Sequence, residues 1–406
     1  MDTELAAPRT GRRVLILVEN LPSPFDRRVW QQATTLHAHG FQVSIICPTG
    51  KGFEAAYECI DGVHIYRYTL PNEAEGALGY LREYSAALWH TFRLARKVRR
   101  ERGFDIVHAC NPPDLLFLVG GWYKRWHGTK FIFDHHDINP ELYEAKFGRR
   151  DLLWKLMVWL ERATFRTADV SIATNECSRR MAIERGGMDP ARVFVVRSGP
   201  KLDRLKIVPA KPELKRGRRF LVGYVGVMGK QEGIDYLLKA ARHIVHDLGR
   251  QDVHFGLVGG GTSLEDMKRL AVELGVADYV TFTGRVPDAE LLDMLNTADV
   301  CVNPDVANEM NDKSTMNKIM EYMALGKPIV QFDLTEGRFS AQEASLYAAK
   351  NDAQDMARKI VELLDDPARP ERMGAFGRQR VENELEWRYE GAKFVSAYGA
   401  VARPAG

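Results

Sequence analysis

The sequence predicts an α/β protein built of two doubly wound domains that face each other across a cleft. Three observations predict it. Short apolar runs alternate with amphipathic helical stretches along nearly the whole chain. The alternation breaks once, at residues 198–218, where Ser198-Gly199-Pro200, Pro209, Pro212 and many Lys and Arg stand together. Polar or glycine-bearing turns follow the apolar runs, and an open parallel sheet places its ligand contacts at such strand ends. The expected organisation is a tail over 1–11, a first domain over 12–198, a linker over 199–218 and a second domain over 219–386.

The totals bound the function. The chain has 406 residues, 45% hydrophobic and 27% charged, ordinary for a soluble globular protein. A net charge of +3 gives no case for nucleic acid. Residues 1–200 hold 28 Lys and Arg against 23 Asp and Glu, the remainder 29 against 31, so the first half is the basic one. Five scattered cysteines (Cys47, Cys59, Cys110, Cys177, Cys301) form no CxxC or Cys/His cluster. Neither a disulfide framework nor a zinc site is supported, and a reducing cytoplasm fits. The first eleven residues lack an apolar core and read as a frayed tail. Apolar runs such as 115–121 are far too short to span a bilayer, so any membrane contact is expected to be peripheral, at the inner face.

Residues 14–18 read as a first buried strand, followed by a loop through Arg27 and Arg28, a helix over 29–36 and a strand over 42–47. The loop lacks G-x-G-x-x-G, so no dinucleotide fingerprint is present. Arg27 and Arg28 either face an anion or form a surface pair on a first helical turn. A strand over 63–68 precedes a helix over 83–102 that carries a basic block and the apolar residues Leu88, Trp89, Phe92 and Leu94. Such a helix lies on anionic lipid or is a solvated outer helix. Strands over 105–108 and 130–133 follow, the second running into Asp134-His135-His136-Asp137-Ile138-Asn139-Pro140-Glu141. Adjacent histidines lack the i, i+4 spacing of a helical metal site, so this run reads as a polar cleft rim and no metal is expected. A helix over 152–166 and strands over 170–173 and 193–196 complete the first domain.

The second series opens with a strand over 220–225 and the turn Gly226-Val227-Met228-Gly229-Lys230-Gln231-Glu232-Gly233. A helix over 234–248 and a strand over 253–258 lead to Gly259-Gly260-Gly261, and a strand over 279–283 leads to Gly284-Arg285-Val286-Pro287. Glycine lets such turns approach a ligand closely, although tight strand–helix turns use it anyway. Strands over 299–303 and 329–332 flank the stretch around which the domain is organised, 311–328. It reads as one helix capped by Ser314 or Thr315 and stopped by Gly326 and Pro328. Met316, Ile319, Met320 and Met323 recur at helical spacing and are the expected buried face. Lys318 and Glu321, three apart, are expected side by side on the opposite face. Hydroxyls, free N–H groups, an ammonium and a carboxylate at one helix mouth suit a phosphorylated sugar. Helices over 353–364, 371–385 and 387–401 end the chain.

Several of these stretches together resemble the family-4 retaining glycosyltransferases of the Rossmann-like GT-B fold, nearest in pattern to the bacterial surface-polysaccharide branch. They are Pro24-Phe25-Asp26-Arg27-Arg28-Val29-Trp30, the 134–141 run, the Gly226 turn, Thr281-Phe282-Thr283-Gly284-Arg285-Val286, and Lys318-x-x-Glu321-Tyr322-Met323-Ala324-x-Gly326-Lys327-Pro328. The resemblance covers roughly residues 13–390. It implies sugar transfer from a nucleotide diphosphate sugar with retention, with neither metal nor cofactor; no Asp-x-Asp motif is present. It implies catalytic roles for His136, Lys318 and Glu321, with Glu321 on the ribose hydroxyls. Ser314, Thr315 and Lys318 would sit at the diphosphate, with Gly226, Lys230 and Arg27 as further donor contacts. Gly284, Arg285 and Val286 would edge the base, and the helix 387–402 would complete the first domain. The chain departs from the family at Lys313, where a hexose-contacting Glu is usual and Asp312 is the expected substitute. It departs again at Val227 and Glu232, where cations are usual.

The reading is therefore a metal-independent hexosyltransferase acting on a lipid-linked or saccharide acceptor. Its rivals are a sugar-nucleotide epimerase of the same fold and a non-catalytic nucleotide-sugar-binding partner. The departing diphosphate is expected to be met by fixed positive groups, because a dianionic leaving group needs charge neutralisation.

Overall fold

A computed structural model describes residues 11–70 and 76–401, the side chains of 76–81 excepted. Residues 1–10 of the expected tail and residue 402 of the expected last helix lie outside the described residues. The chain divides into two compact units, Met1–Arg197 with Gly391–Gly406, and Ser198–Glu390.

The first unit begins with strand β1 (Arg13–Leu17), helix α1 (Arg27–Ala38) and strands β2 (Gln42–Pro48), β3 (Tyr57–Ile60) and β4 (Val63–Tyr68). Then come α2 (Gly76–Glu101), β5 (Ile106–Cys110), α3 (Phe117–His127), β6 (Lys130–His135), α4 (Asn139–Phe147), α5 (Leu152–Thr167), β7 (Val170–Ala173), α6 (Glu176–Glu184) and β8 (Val193–Val195). The sheet order is β3-β4-β2-β1-β5-β6-β7-β8. Every pairing is parallel except that of β3 with β4. β1, β5 and β6 are almost wholly buried, which is why they read as continuous apolar runs rather than alternating ones. β3 escaped the sequence reading because it is a half-exposed edge strand. α4 and α6 escaped it because each is only nine residues long.

The second unit contains β9 (Phe220–Val225), α7 (Ile234–Arg242), β10 (Val253–Val258), α8 (Leu264–Glu273), β11 (Val280–Gly284), α9 (Asp288–Thr297) and β12 (Val300–Asn303). It continues through α10 (Glu309–Lys313), α11 (Asn317–Ala324), β13 (Ile329–Phe332), α12 (Thr335–Ala341), β14 (Ser345–Ala348), α13 (Ala353–Asp365) and α14 (Arg369–Arg380). The last helix, α15 (Trp387–Val401), starts in the second unit and from Gly391 onward belongs to the first. The second unit's sheet order is β11-β10-β9-β12-β13-β14, with all pairings parallel. The winding reverses between β9 and β12, and in an open α/β sheet that reversal opens a crevice at the carboxyl ends of the two strands.

Two expectations need correction. Residues 199–218 are not a free linker. Leu205 is fully buried in the second unit's core, the Lys211 N–H donates to Thr297 Oγ1 (2.8 Å), and Lys215 Nζ pairs with Asp299 (2.8 Å). The stretch 311–328 is not one helix either. α10 ends at Lys313, Ser314 takes an extended conformation, and α11 starts at Asn317. Ser314 Oγ donates back to the Met310 carbonyl (2.7 Å), and no side chain caps α11. Ser314 thus closes the preceding turn instead of opening the next helix. The apolar face and the stop hold: Ile319, Met320 and Met323 are buried, and Gly326 sits at φ +66°. No described helix is long and apolar enough to cross a membrane.

Candidate active site

In the second unit the reversal point is lined by three stacked turns and one ion pair. The turns after β9, β10 and β11 are joined edge to edge by backbone hydrogen bonds: Gly226 N–H to Val258 O (3.0 Å), Gly259 N–H to Gly284 O (2.9 Å) and Met228 N–H to Gly260 O (3.0 Å). The fit admits no side chain. A Cβ on Gly259, at φ +136°, would stand 1.8 Å from the Gly226 carbonyl oxygen. These glycines are therefore fixed first by turn-to-turn packing.

Over the Gly226 turn lies Lys318, the second residue of α11. A Cβ on Gly226 would stand 3.5 Å from Lys318 Cε. Lys318 Nζ donates to both oxygens of Asp305 (2.8 and 2.9 Å) and sits 5.1 Å from the Tyr224 ring centre. Asp305 is almost completely buried, two residues beyond the end of β12. Burial raises its carboxyl above the usual range, and Lys318 offsets only part of that rise. Glu232 is raised as well, by burial and then by Asp305, and accepts the Gly229 N–H (3.1 Å). The ammonium expected to stand open at a helix mouth is thus already neutralised on one side. Two of its three protons go to Asp305, and one remains for a ligand.

Glu321 does not pair with Lys318. Its Oε1 accepts from Arg204 Nη2, and Arg204 Nη1 also reaches Asp288 (3.4 Å). Asp312 is turned toward α12: its oxygens accept the Thr335 N–H (3.1 Å) and hydroxyl (2.8 Å), and Lys350 stands 3.3 Å away. It fastens the start of α12. Lys313 is paired with Glu309 one turn earlier. Lys230 and Arg285 are exposed, while Val286 and Thr315 are half-buried. Val227 is 55% exposed.

In the first unit the polar residues converge on Asp134, fully buried one residue before the end of β6. Arg28 Nη2 (2.9 Å), Gln32 Nε2 (2.5 Å) and His136 Nε2 (2.8 Å) contact it, and His108 Nε2 lies 3.5 Å away. Arg28 and Gln32 are one turn apart on α1, whose start is capped by Asp26 accepting the Val29 N–H (3.1 Å). Burial would raise the Asp134 carboxyl. Arg28, His136 and His108 outweigh it and hold the group well below the usual carboxylate range. Burial lowers His108, whose Nδ1 is bonded to the Tyr398 hydroxyl of α15 (2.6 Å). Of the two arginines, Arg27 is exposed and Arg28 is the buried partner of Asp134. His108, Cys110 and Asp134 present ligand atoms within 4.8 Å of one another. The Arg28 guanidinium already occupies Asp134, so a metal ion there would meet a positive charge.

Sequence reasoning missed Asp305, Arg204 and the central place of Asp134. Asp305 follows a strand end, and Arg28 is half of the Arg27–Arg28 pair singled out from the sequence, so weak signals existed. Their partners lie 13, 117 and 106 residues away along the chain, and only folding brings them together.

Comparison with known proteins identifies the family. A model described as Glycosyltransferase Family 4 matches residues 26–204, and one described as Glycosyl transferases group 1 matches residues 219–366. A D-inositol 3-phosphate glycosyltransferase of Thermomonospora curvata is 30% identical over 310 residues, covering 70% of this chain and 68% of that protein. The chain belongs to the family-4-like glycosyltransferases. The glycosyltransferase has the GT-B fold. It superimposes on sucrose-phosphate synthase from Thermosynechococcus elongatus with a TM-score of 0.79 at 18% identity, covering 96% of this chain and 98% of that one. It superimposes on Anabaena HepE in complex with UDP-glucose with a TM-score of 0.72 at 14% identity, covering 96% and 99%.

Proposed function

We propose that this glycosyltransferase moves a hexose from a nucleotide diphosphate sugar to a hydroxyl of a lipid-linked or polysaccharide intermediate, with retention and without a metal. The observation that carries the reading is Lys318, held over the Gly226 turn at the sheet's reversal point by Asp305. Its third ammonium proton and the first N–H groups of α11 are the positive groups for the diphosphate. Glu321, fixed by Arg204, accepts from the ribose hydroxyls. Gly284 and Val286 edge the base through main-chain groups. That a fold neighbour was solved with UDP-glucose supports a sugar nucleotide as donor.

The chemistry is carried mainly by electrostatics. As the bond between the anomeric carbon and the diphosphate oxygen lengthens, charge builds on the phosphate and the sugar becomes oxocarbenium-like. Lys318 and the α11 N-terminus stabilise the developing negative charge. The acceptor hydroxyl bonds to the anomeric carbon on the face the diphosphate leaves, and its proton passes to a departing phosphate oxygen. His136, oriented by Asp134, positions and polarises the sugar rather than removing that proton. Transfer from UDP-glucose and other sugar nucleotides in Lys318→Ala and Glu321→Ala proteins tests the reading. Loss of turnover in both is expected, and full activity in both overturns it.

A further inference from the structure

The outer surface of the first unit carries a composition that the transfer chemistry does not use. α2, α3 and α5 adjoin one another: the rings of Phe92 and Trp122 are 5.6 Å apart, and Lys124 Nζ of α3 donates to the Thr167 carbonyl of α5 (2.8 Å). Their inner faces share one core through Leu94, Val98, Val119, Tyr123 and Phe165. The apolar residues of α2 noted in the sequence mostly turn inward, leaving Trp89 61% exposed.

The exposed apolar groups stand instead on α3 and α5. Leu118, Trp122 and Trp126 make an i, i+4, i+8 stripe on α3, and Trp126 is 65% exposed. Leu152, Leu156 and Trp159 make the matching stripe on α5, at 82%, 47% and 60% exposure. Basic residues interleave with both. Residues 84–100 hold five Lys and Arg and no acid, 117–127 hold two and no acid, and 152–167 hold three with Glu161 as the one carboxylate. Glu161 is fully buried and bound by Arg185. Arg93, Arg96, Lys155 and Arg166 have no carboxylate partner among the described residues. Glu101, at the end of α2 and beside Lys97, is an exposed acid of these helices, and Lys124 pairs with Asp169, so the cations outnumber the acids without being wholly unopposed. Large apolar side chains among such an excess of cations complement an anionic lipid surface, where indoles settle at headgroup depth and cations meet phosphate.

We infer that the face formed by α2, α3 and α5 docks on an anionic bilayer, with Trp126, Trp159 and Leu152 inserted and the lysines and arginines against the headgroups. An acidic protein or a second copy of the chain would want the same cations or the same apolar stripe, but neither calls for both. The inference stands apart from the identity of the donor, because none of these residues lies in the candidate active site.

Co-sedimentation of the full chain with phosphatidylcholine vesicles, with and without phosphatidylglycerol, tests it. Binding is expected only with the anionic lipid, and it should weaken as salt rises. A Trp126→Ser, Trp159→Ser double variant should partition roughly ten-fold less or lower while keeping its thermal unfolding midpoint, since both side chains are exposed. Quenching of tryptophan fluorescence by brominated anionic lipid should be strong in the parent and much reduced in the variant. Equal binding of parent and variant overturns the inference, as does equal binding to neutral vesicles. So does a lack of vesicle binding in a protein that sedimentation velocity shows to be dimeric, with the variant monomeric.

Discussion

Lys318 Nζ lies 2.8 and 2.9 Å from the two oxygens of Asp305, a carboxylate that is almost entirely buried. One ammonium therefore serves both a structural anion and, in the proposed function, a ligand phosphate. Removing either partner leaves an uncompensated group in a low-dielectric place. Lys318→Ala is expected to lower stability by about 3–5 kcal/mol as well as abolish transfer. A Lys318→Met, Asp305→Leu double variant should regain most of that stability and none of the activity. Urea unfolding and turnover on the same preparations separate the two effects.

Glu321 is held by Arg204, an anchor supplied by the segment read from sequence as a linker. Glu321→Gln removes a charge-assisted acceptor, worth about 1.5–3 kcal/mol. Affinity for the sugar nucleotide of the proposed function is expected to fall roughly ten-fold or more, read by titration calorimetry. Arg204→Ala should weaken it less, because the carboxylate survives but loses its orientation.

His136 and Asp134 form the corresponding pair in the first unit, 2.8 Å apart. His136→Ala is expected to lower kcat by roughly 100-fold, with little change in donor KM, if positioning at the reacting carbon is its role. Asp134→Asn should be worse for folding than for chemistry alone, since the charge opposing Arg28 is lost and one of the two oxygens facing Arg28, Gln32 and His108 becomes an N–H donor. Its thermal midpoint should fall well below that of the His136 variant.

Glu19, just beyond β1, is buried and its Oε1 has no partner among the described residues. Burial, and then Glu83, pushes its carboxyl up to about 8. The folded protein therefore holds a proton there that the unfolded chain releases above its ordinary carboxyl range. Stability from this group is present at low pH and is lost as pH rises from about 4.5 to about 8, at up to about 1.4 kcal/mol per pH unit. Glu19→Gln should flatten that decline. Urea midpoints measured across this window check it.

Gly259 stands with its Cα hydrogen where a Cβ would meet the Gly226 carbonyl oxygen. Gly259→Ala is expected to lose at least ~2 kcal/mol from backbone strain and the forced separation of the two turns. Nucleotide binding should fall with it, because the same separation displaces the Gly226 turn over which the proposed function places the diphosphate. Gly128→Ala, at φ +65° with nothing near its would-be Cβ, is the control that isolates backbone strain from turn packing.

The two sheets are legible in the order of the amino acids. Buried parallel strands are runs of apolar residues, and those of 14–18, 42–47, 170–173 and 253–258 announced β1, β2, β7 and β10 within a residue or so. The buried side of α11 and its glycine stop are legible there too, since helical periodicity and a left-handed φ are local properties. The roles of the charged residues come from folding. A lysine three residues from a glutamate looks like its partner on a helix, yet Lys318 reaches Asp305 across the strand end and Glu321 reaches Arg204. Asp312 has the composition of a ligand group and spends it on Thr335. Charge pairing is settled by which chain segments folding brings within about 4 Å, where Coulomb energy and desolvation are both large. No pattern along the chain encodes that distance.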